Sequence, residues 1–245
     1  MNLLLLTAAE ASDQPIRLRD NRARHIREVL HASPGDQLRV GILDGALGRG
    51  VIRSVSSSTV TLECQFEDAA PPPSLDTLVL AIPRPSVLAR CLTQAATLGF
   101  GRILLIRSWR VDKSHLSSKV LEESALQQLL IDGLSQGQRT HLPELQRFDL
   151  FKPFVEDRLD SAVPAGHRFV GHPGAETATA SLQIGRAAPF TLAIGPERGF
   201  IPFEIDALLG RGFQAVHAGP NPLRVETAMA YLTGQLHLLR SQSTG

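Results

Sequence analysis

Short apolar runs alternate with glycine-containing loops through most of the chain. Five of them stand out from residue 75 onward: "LDTLVLAIP", "RILLI", "HRFVGHPG", "FTLAIGPERG" and "FQAVHAGP". Between the first two, "SVLARCLTQAATLG" has apolar residues at positions 87, 88, 91, 92, 95 and 98, the spacing of one helical face, and stops at Gly99. A second helical stretch is predicted at about 117–136. Strands that alternate with helices predict an α/β fold with a largely parallel sheet.

The first 70 residues have a different pattern, with short strands around one helix. "MNLLLLTA" predicts a first strand, and turn signals at residues 34–36 and 44–45 separate further alternating runs. "HIREVLHA" places Ile26, Val29 and Leu30 at helical spacing, which leaves Arg24, Arg27 and His31 on another face. These features predict a small β-barrel that carries an arginine-bearing helix.

Three consecutive prolines in "EDAAPPPSLD", residues 67–76, predict a linker, because proline stiffens the chain and removes hydrogen-bond donors. We therefore expect two domains, residues 1–70 and residues 71–245.

Composition narrows the class of protein. Of the 245 residues 43% are apolar and 20% are charged, which favours a folded chain over a disordered one. No apolar run approaches the roughly 18–20 residues that a membrane span requires, and the start of the chain does not have the basic segment of a signal peptide. We therefore expect a cytoplasmic protein without a membrane partner. Cys64 and Cys91 have no metal or redox spacing and are expected to be buried thiols, and no histidine pattern indicates a metal site.

The charge is distributed unevenly. The net charge is only +1, but residues 16–31 contain five arginines and two histidines against two acids, and residues 101–119 are also basic. Such patches either attract a polyanion or are merely solvated faces, and the pattern alone leaves both interpretations open.

The candidate chemistry lies in three loops that follow predicted strands, at residues 171–174, 195–199 and 218–223. In an open α/β sheet, ligands bind outside the carboxyl ends of the strands, and glycine permits close approach of the backbone. The chain has no G-x-G-x-x-G after a strand, no G-x-x-x-x-G-K-[ST] and no G-x-S-x-G, so dinucleotide, phosphate-loop and esterase sites have no support. The remaining possibility is a site for a compact cofactor that is held mainly by backbone groups.

The last loop leads into a long predicted helix, "LRVETAMAYLTGQLHLL". Glu226 near its N-terminus has either a capping role or a role in the site. Arg224 cannot cap this end, which favours a contact with a ligand or substrate.

Two segments carry a family resemblance. "LAIGPERGF…EI", residues 192–205, followed by "GPNPLRVETA", residues 219–228, resembles the paired signature of the RsmE-type methyltransferases of the SPOUT superfamily. "HIREVL" and "PGDQLRV…DG" are similar to the PUA-like RNA-binding domain of that family. "QAATLG" before a strand resembles its Q-K-x-x-E-L-G helix, and Gln136, Arg139 and Pro143 fall on its Q-S-x-R-x-x-x-P segment.

The resemblance implies a C-terminal trefoil-knot domain, an N-terminal PUA-like β-barrel and a homodimer. It implies S-adenosylmethionine as cofactor and methylation of uridine N3 in small-subunit (16S) ribosomal RNA, a step of ribosome biogenesis. Arg224 and Glu226 would be catalytic. The implied cofactor-binding residues are Gly171, His172, Pro173, Gly195, Pro196, Glu197, Gly199, Ala218, Gly219, Pro220, Leu223 and Thr227, and the implied RNA-binding residues are Arg22, Arg24, Arg27 and Arg139.

The chain departs from the family pattern at several positions. Arg198 replaces the second glycine of I-G-P-E-G-G-F, and if that position had positive φ the arginine would cost roughly 1 kcal/mol. Val225 replaces a threonine, Asp132-Gly133 replaces the family's E-A, and the preceding "LEESALQQLL" is acidic and apolar where the family is usually basic. Two alternatives therefore stay open: a SPOUT methyltransferase with another RNA target or atom, and an RNA-binding protein with a decayed active site.

Overall fold

A computed structural model of the chain describes residues 2–186 and 188–242. The described residues form two compact units. One comprises residues 2–73 and Ile131–Leu142, and the other comprises Ser74–Leu130 and residues 143–186 and 188–242. The domains predicted from sequence, 1–70 and 71–245, stay a prediction, and residues 243–245 lie outside the described part of the chain.

Strands and helices are numbered separately along the chain. The strands are β1 (Leu4–Leu6), β2 (Ile16–Leu18), β3 (Gln37–Ile42), β4 (Leu47–Val55), β5 (Val60–Phe66), β6 (Thr77–Ala81), β7 (Arg102–Ile106), β8 (Glu144–Phe148), β9 (His167–Gly171), β10 (Thr177–Ala178), β11 (Phe190–Ile194) and β12 (Gln214–His217). The helices are α1 (Ala8–Ser12), α2 (Asn21–Glu28), α3 (Pro85–Leu98), α4 (Glu123–Gly137), α5 (Phe151–Pro153), α6 (Leu159–Ala162), α7 (Pro202–Leu209) and α8 (Val225–Gln242). A π-helical turn, Phe154–Arg158, joins α5 to α6.

The first unit is built on a five-stranded sheet in the order β1-β3-β4-β5-β2. All its strand pairs are antiparallel except β1 with β3. Its core is apolar and includes Leu4, Ile26, Val40 and Leu62, together with the thiol of Cys64. This curled sheet fits the small β-barrel that the sequence predicts.

Helix α2 starts earlier in the chain than predicted. The Asp20 side chain accepts a hydrogen bond from the Arg22 backbone N–H and caps the helix, so that Ala23 and Ile26 form its buried face. The helix ends at Glu28, which leaves Val29 60% and Leu30 39% exposed. Val29 and Leu30, which the sequence places at helical spacing with Ile26, therefore lie past the end of the helix and outside its buried face.

The second unit contains a seven-stranded sheet in the order β10-β12-β9-β11-β6-β7-β8. Every strand pair in it is parallel, which confirms the predicted α/β class. Strand β6 is buried along its whole length, as expected for a sheet that is covered on both faces. Helix α3 ends as predicted at Gly99, whose left-handed backbone (φ 91°) lets its N–H bond to the carbonyls of Ala95 and Ala96.

Both cysteines are buried free thiols, as predicted. Burial raises the pKa of Cys64 to about 11 and, more strongly, the pKa of Cys91 to about 12. Within residues 2–186 and 188–242, no group of three or more metal-binding side chains comes together, and no helix is long and apolar enough to cross a membrane.

Candidate active site

The three glycine-containing loops lie at one edge of the parallel sheet. They follow β9, β11 and β12, which are neighbours in the order β12-β9-β11. Together they line a cavity of about 870 Å³. The predicted site residues in its lining are Gly171, His172, Pro173, Gly195, Pro196, Glu197, Gly199, Ala218, Gly219, Leu223, Arg224 and Glu226. Pro220 and Thr227 are exposed and do not line this cavity.

The loop after β11 needs glycine at two positions for different reasons. A Cβ on Gly195 would lie 2.9 Å from the Phe200 backbone nitrogen and 3.2 Å from Gly199, because the loop folds back on itself there. Gly199 has φ of +68°, and its N–H donates to the Pro196 carbonyl at 2.7 Å. Arg198 is not among the described residues with positive φ, so its replacement of the family glycine causes no such strain.

Glycine has a different reason in each of the two neighbouring loops, a close side chain at Gly171 and a left-handed backbone at Gly219. A Cβ on Gly171, at the end of β9, would lie 2.8 Å from Leu232 Cδ1 on helix α8. Gly219 has φ of +135°, and its N–H donates to His217 Nδ1 at 3.1 Å. The cavity therefore presents backbone groups where other residue types would place side chains.

Two carboxylates in the lining are held by residues of helix α3 and its N-cap. Glu197 Oε1 accepts from the backbone N–H of Arg84, the N-cap residue of α3, at 2.9 Å. Glu226 Oε1 accepts from Arg90 Nη2 at 2.8 Å. The pKa of Glu226 lies below its usual range because its own backbone N–H and then Arg90 bond to the ionised form. The ionised Glu226 side chain is therefore a weaker base than an ordinary carboxylate, which makes it a poor match for a general base.

Arg224 is placed just before helix α8. Its carbonyl accepts the Ala228 N–H at 2.8 Å and so begins the helix, while its exposed side chain lies in the cavity lining. No hydrogen bond or ion pair of this guanidinium is found in the part of the chain that the structure describes. Its charge is available to a ligand or substrate.

Three further arginines of the lining are not predicted from the sequence. Arg84 and Arg90 belong to the start of α3, and Arg110 belongs to the loop after β7. A signal for all three is present, since they follow the carboxyl ends of β6 and β7 at the same edge of the sheet.

Residues 71–237 match the RNA methyltransferase domain family. The chain belongs to this family. The match covers the sheet, the three loops and most of α8, and it confirms the predicted class of enzyme, an RNA methyltransferase.

Similar proteins extend over nearly the whole chain. The chain is 30% identical to "Ribosomal RNA small subunit methyltransferase E" of Treponema pallidum, over 93% of this chain and 87% of that protein. It is 26% identical to "Ribosomal RNA small subunit methyltransferase E 1" of Borreliella burgdorferi, over 93% of this chain and 94% of that protein. A solved structure titled as a ribosomal RNA small subunit methyltransferase E from Neisseria gonorrhoeae bound to S-adenosyl methionine has a TM-score of 0.77 at 19% identity, over 98% of each chain. The expected trefoil knot is consistent with this likeness in fold.

The arginines predicted to bind RNA in this RNA methyltransferase differ in what they contact. Arg22 donates to the Leu5 carbonyl at 2.8 Å and forms ion pairs with Glu10 and Asp20. Arg27 lies near Glu28, with a nitrogen-to-oxygen distance of 3.6 Å. Arg24 and Arg139 are exposed. The Arg22 guanidinium thus binds to groups of the protein itself, whereas the Arg24 side chain is exposed to solvent.

Proposed function

We propose that this RNA methyltransferase uses S-adenosylmethionine to methylate N3 of a uridine in small-subunit (16S) ribosomal RNA. The observation that carries the proposal is the cavity lined by three glycine-containing loops at the carboxyl edge of β9, β11 and β12. The curated relatives named as small-subunit ribosomal RNA methyltransferases support the substrate, and the RsmE resemblance supports uridine N3.

The residues of the cavity fit S-adenosylmethionine. Its size suits a compact cofactor, since ligand pockets are commonly about 300–1,000 Å³. Ile194 and Leu232 give it apolar surface, Gly171, Gly195 and Gly219 expose backbone groups, and Glu197 and Glu226 give it negative charge. When bound, S-adenosylmethionine supplies an electrophilic methyl group, and this chemistry needs no metal ion.

The residues of the chain position the reactants and stabilise charge. N3 of uracil lies on the Watson–Crick edge, so the target base must be unpaired or extruded to be reached. The nitrogen loses its proton as it attacks, and negative charge develops on the uracil oxygens. We assign Arg224 the role of stabilising that charge. Glu226 pairs with Arg90 and fixes the start of α8 beside α3.

Four further elements belong to this proposal. Residues 1–70 would bind RNA through Arg24 and Arg27, residues 71–245 would carry the reaction, and the protein would act in the cytoplasm, where ribosomes assemble. The homodimer implied by the family is supported by exposed apolar side chains on α8, Tyr231 and Leu238, which lie two helical turns apart on one face.

The ordinary backbone at Arg198 weighs against a decayed cofactor loop, because the substitution that motivates that alternative causes no positive-φ strain. A different RNA target remains the alternative to be tested, since the 121–139 segment departs from the family pattern.

The proposal is tested by calorimetric titration with S-adenosylmethionine, followed by mass mapping of methylated RNA after incubation with small ribosomal subunits. We expect saturable binding and one new methyl group on a small-subunit uridine. A methyl group on another RNA or atom would overturn the substrate assignment alone. Absence of cofactor binding would overturn the proposed activity.

We expect Gly195→Ala to weaken binding of S-adenosylmethionine at least tenfold. The added Cβ would lie 2.9 Å from the Phe200 backbone nitrogen, so the loop must open to accept it. Calorimetry gives the dissociation constant. Gly210→Ala is the matched control, because Gly210 has an ordinary helical backbone (φ −62°) and a Cβ there would have no neighbour closer than 3.4 Å. Equal affinity of the Gly195→Ala and wild-type proteins would contradict the assignment of this loop.

The two N-terminal arginines are expected to respond differently to replacement. Arg22→Ala should lower the free energy of unfolding by about 1–3 kcal/mol, because Glu10 and Asp20 lose their charged partner. Arg24→Ala should leave stability unchanged and weaken binding of RNA. Chemical denaturation and RNA binding at several salt concentrations distinguish the two effects, and Arg24→Ala should also reduce the salt slope by about 1. Unaltered RNA affinity and salt slope in Arg24→Ala would contradict its role.

A further inference from the structure

An exposed tryptophan lies on the loop that follows β7. Trp109 is the single tryptophan of the chain, and 82% of its surface is exposed. Large aromatic side chains are usually well buried, and an exposed one beside a functional cavity points to a binding partner.

The backbone of Trp109 is held in place by a buried carboxylate. Its N–H donates to Glu204 Oε1 at 2.7 Å, and Glu204 is only 1% exposed. The other oxygen of Glu204 accepts the Ile201 N–H at 3.0 Å, just before helix α7. The Arg110 guanidinium donates to the carbonyl of Arg198 and joins this loop to the loop after β11. The backbone that carries the exposed ring is therefore fixed before a ligand binds, so less conformational entropy of this loop is lost on binding.

The surroundings of Trp109 are rich in arginine and continue into the cavity. A second hollow, of about 570 Å³, is lined by Trp109 and by four residues that also line the main cavity: Arg84, Arg110, Glu197 and Arg198. Glu197 is engaged with Arg84, and Asp112 accepts hydrogen bonds from Ser114. The two carboxylates of this hollow thus have protein partners, while the side chain of Arg198 has none among residues 2–186 and 188–242.

We propose that Trp109 is a stacking platform for an unpaired base that flanks the target nucleotide, and that Arg110 and Arg198 contact the adjoining phosphates. This inference rests on the proposed RNA methyltransferase activity. Single-stranded RNA is recognised by stacking of bases on aromatic rings and by cationic grooves along the backbone. A base extruded into the main cavity leaves its neighbouring bases unstacked. Because Arg84, Arg110 and Arg198 line both hollows, the ring of Trp109 lies next to the cavity, within reach of such a neighbouring base.

Because Trp109 is the only tryptophan, fluorescence excited selectively in tryptophan reports on this site alone. The probe is a single-stranded oligoribonucleotide of about ten nucleotides with a central uridine, which is within the roughly 4–16 nucleotides that single-strand sites cover. We expect saturable quenching with the full-length wild-type protein, and little quenching with a duplex of the same sequence.

Variants test the stacking contact. Trp109→Ala should raise KM for RNA about 5- to 150-fold, which corresponds to the usual strength of one stacked base, while the dissociation constant of S-adenosylmethionine stays unchanged. Trp109→Phe should restore most of the lost affinity because it keeps an aromatic face. Phe203→Ala removes another exposed aromatic residue, one that lines neither hollow, and is expected to leave KM for RNA within about twofold.

Three results would overturn the platform. One is an unchanged KM for RNA in Trp109→Ala, and another is a lack of quenching in a preparation that methylates RNA. Either would leave the proposed activity intact. The third is tryptophan emission in the free protein that shifts to longer wavelength on dilution, since Trp109 would then be covered by a second copy of the chain. Quenching by the oligonucleotide in a preparation that does not methylate small ribosomal subunits would support the platform and overturn the proposed activity instead.

Discussion

Replacement of Arg224 by alanine is expected to lower the rate of methyl transfer by a factor of about 10²–10³, the usual effect of removing one donor from a site where charge develops. Arg224 lines the cavity, and its guanidinium forms no hydrogen bond or ion pair with the described residues. The expected loss is in kcat, because the negative charge on the uracil oxygens arises only as N3 attacks.

Two variants accompany this measurement. Arg224→Lys keeps a positive charge but not the planar fork of the guanidinium, so we expect a rate between those of wild type and Arg224→Ala. Arg158→Ala removes an exposed arginine that does not line the cavity and is expected to retain the wild-type rate. Single-turnover kinetics with saturating cofactor and RNA give the rate. Wild-type turnover in Arg224→Ala would refute the catalytic role.

Replacement of Asp76 by alanine is expected to lower the free energy of unfolding by about 3–5 kcal/mol. The variant would leave the partly buried guanidinium of Arg240 without its carboxylate partner. Asp76 is 2% exposed and lies just before β6. Its two oxygens accept from Arg240 at 2.8 Å each, from the Phe190 N–H at 3.2 Å and from His237 Nε2 at 3.3 Å. Arg240 also lies over the Phe190 ring, 5.3 Å from its centroid. This one carboxylate ties the end of α8 to the starts of β6 and β11.

The pH dependence follows from the same contacts. Burial alone would raise the pKa of Asp76, but the hydrogen bonds from His237 and Arg240 outweigh it and hold the pKa below its ordinary value of 3.8. A carboxyl group with a lowered pKa stabilises the fold above its unfolded-state pKa, and the effect is lost as pH falls through the folded-state value. The deficit of Asp76→Ala should therefore be full at pH 7 and shrink below about pH 4.

Urea denaturation of wild type and Asp76→Ala at pH 7 and below about pH 4 measures how much stability the variant loses at each pH. Asp149→Ala is the control, because Asp149 forms an exposed ion pair with Arg147 at 2.9 Å and such pairs contribute less than about 1 kcal/mol. If Asp76→Ala and Asp149→Ala were equally stable at pH 7, the buried cluster would not have the role assigned to it.

Elements with a clear hydrophobic period can be predicted from the sequence. An element is not predicted where a helical period is combined with a residue that disfavours a helix. Helix α3 and strands β6, β7, β9, β11 and β12 are all foreseen. The helical stretch 151–162 is not predicted, although Phe151, Phe154, Val155 and Leu159 recur at helical spacing and are buried. Pro153 lies within that stretch and hides the period, since proline is read as a helix breaker.

The site is predictable in its parts but not in its assembly. A glycine after an apolar run indicates a loop at a strand end, and this identifies residues 171–174, 195–199 and 218–223. Their convergence depends on the order β12-β9-β11, which does not follow the order of the strands along the chain. Arg110 and Trp109 are brought to the site by tertiary contacts with Arg198 and Glu204. The pattern of neighbouring residues in the sequence does not predict contacts of this kind.

The two buried thiols have a practical consequence, because the chain has only two cysteines and each unit holds one. Cys64 packs in the core of the first unit, and Cys91 lies on α3 in the second. A thiol that is buried and protonated reacts with an alkylating reagent only after local opening exposes it. The labelling rates of Cys64 and Cys91 in the unmodified protein therefore report the opening of each unit separately. Equal rates that rise together with denaturant would mean that the two units unfold as one.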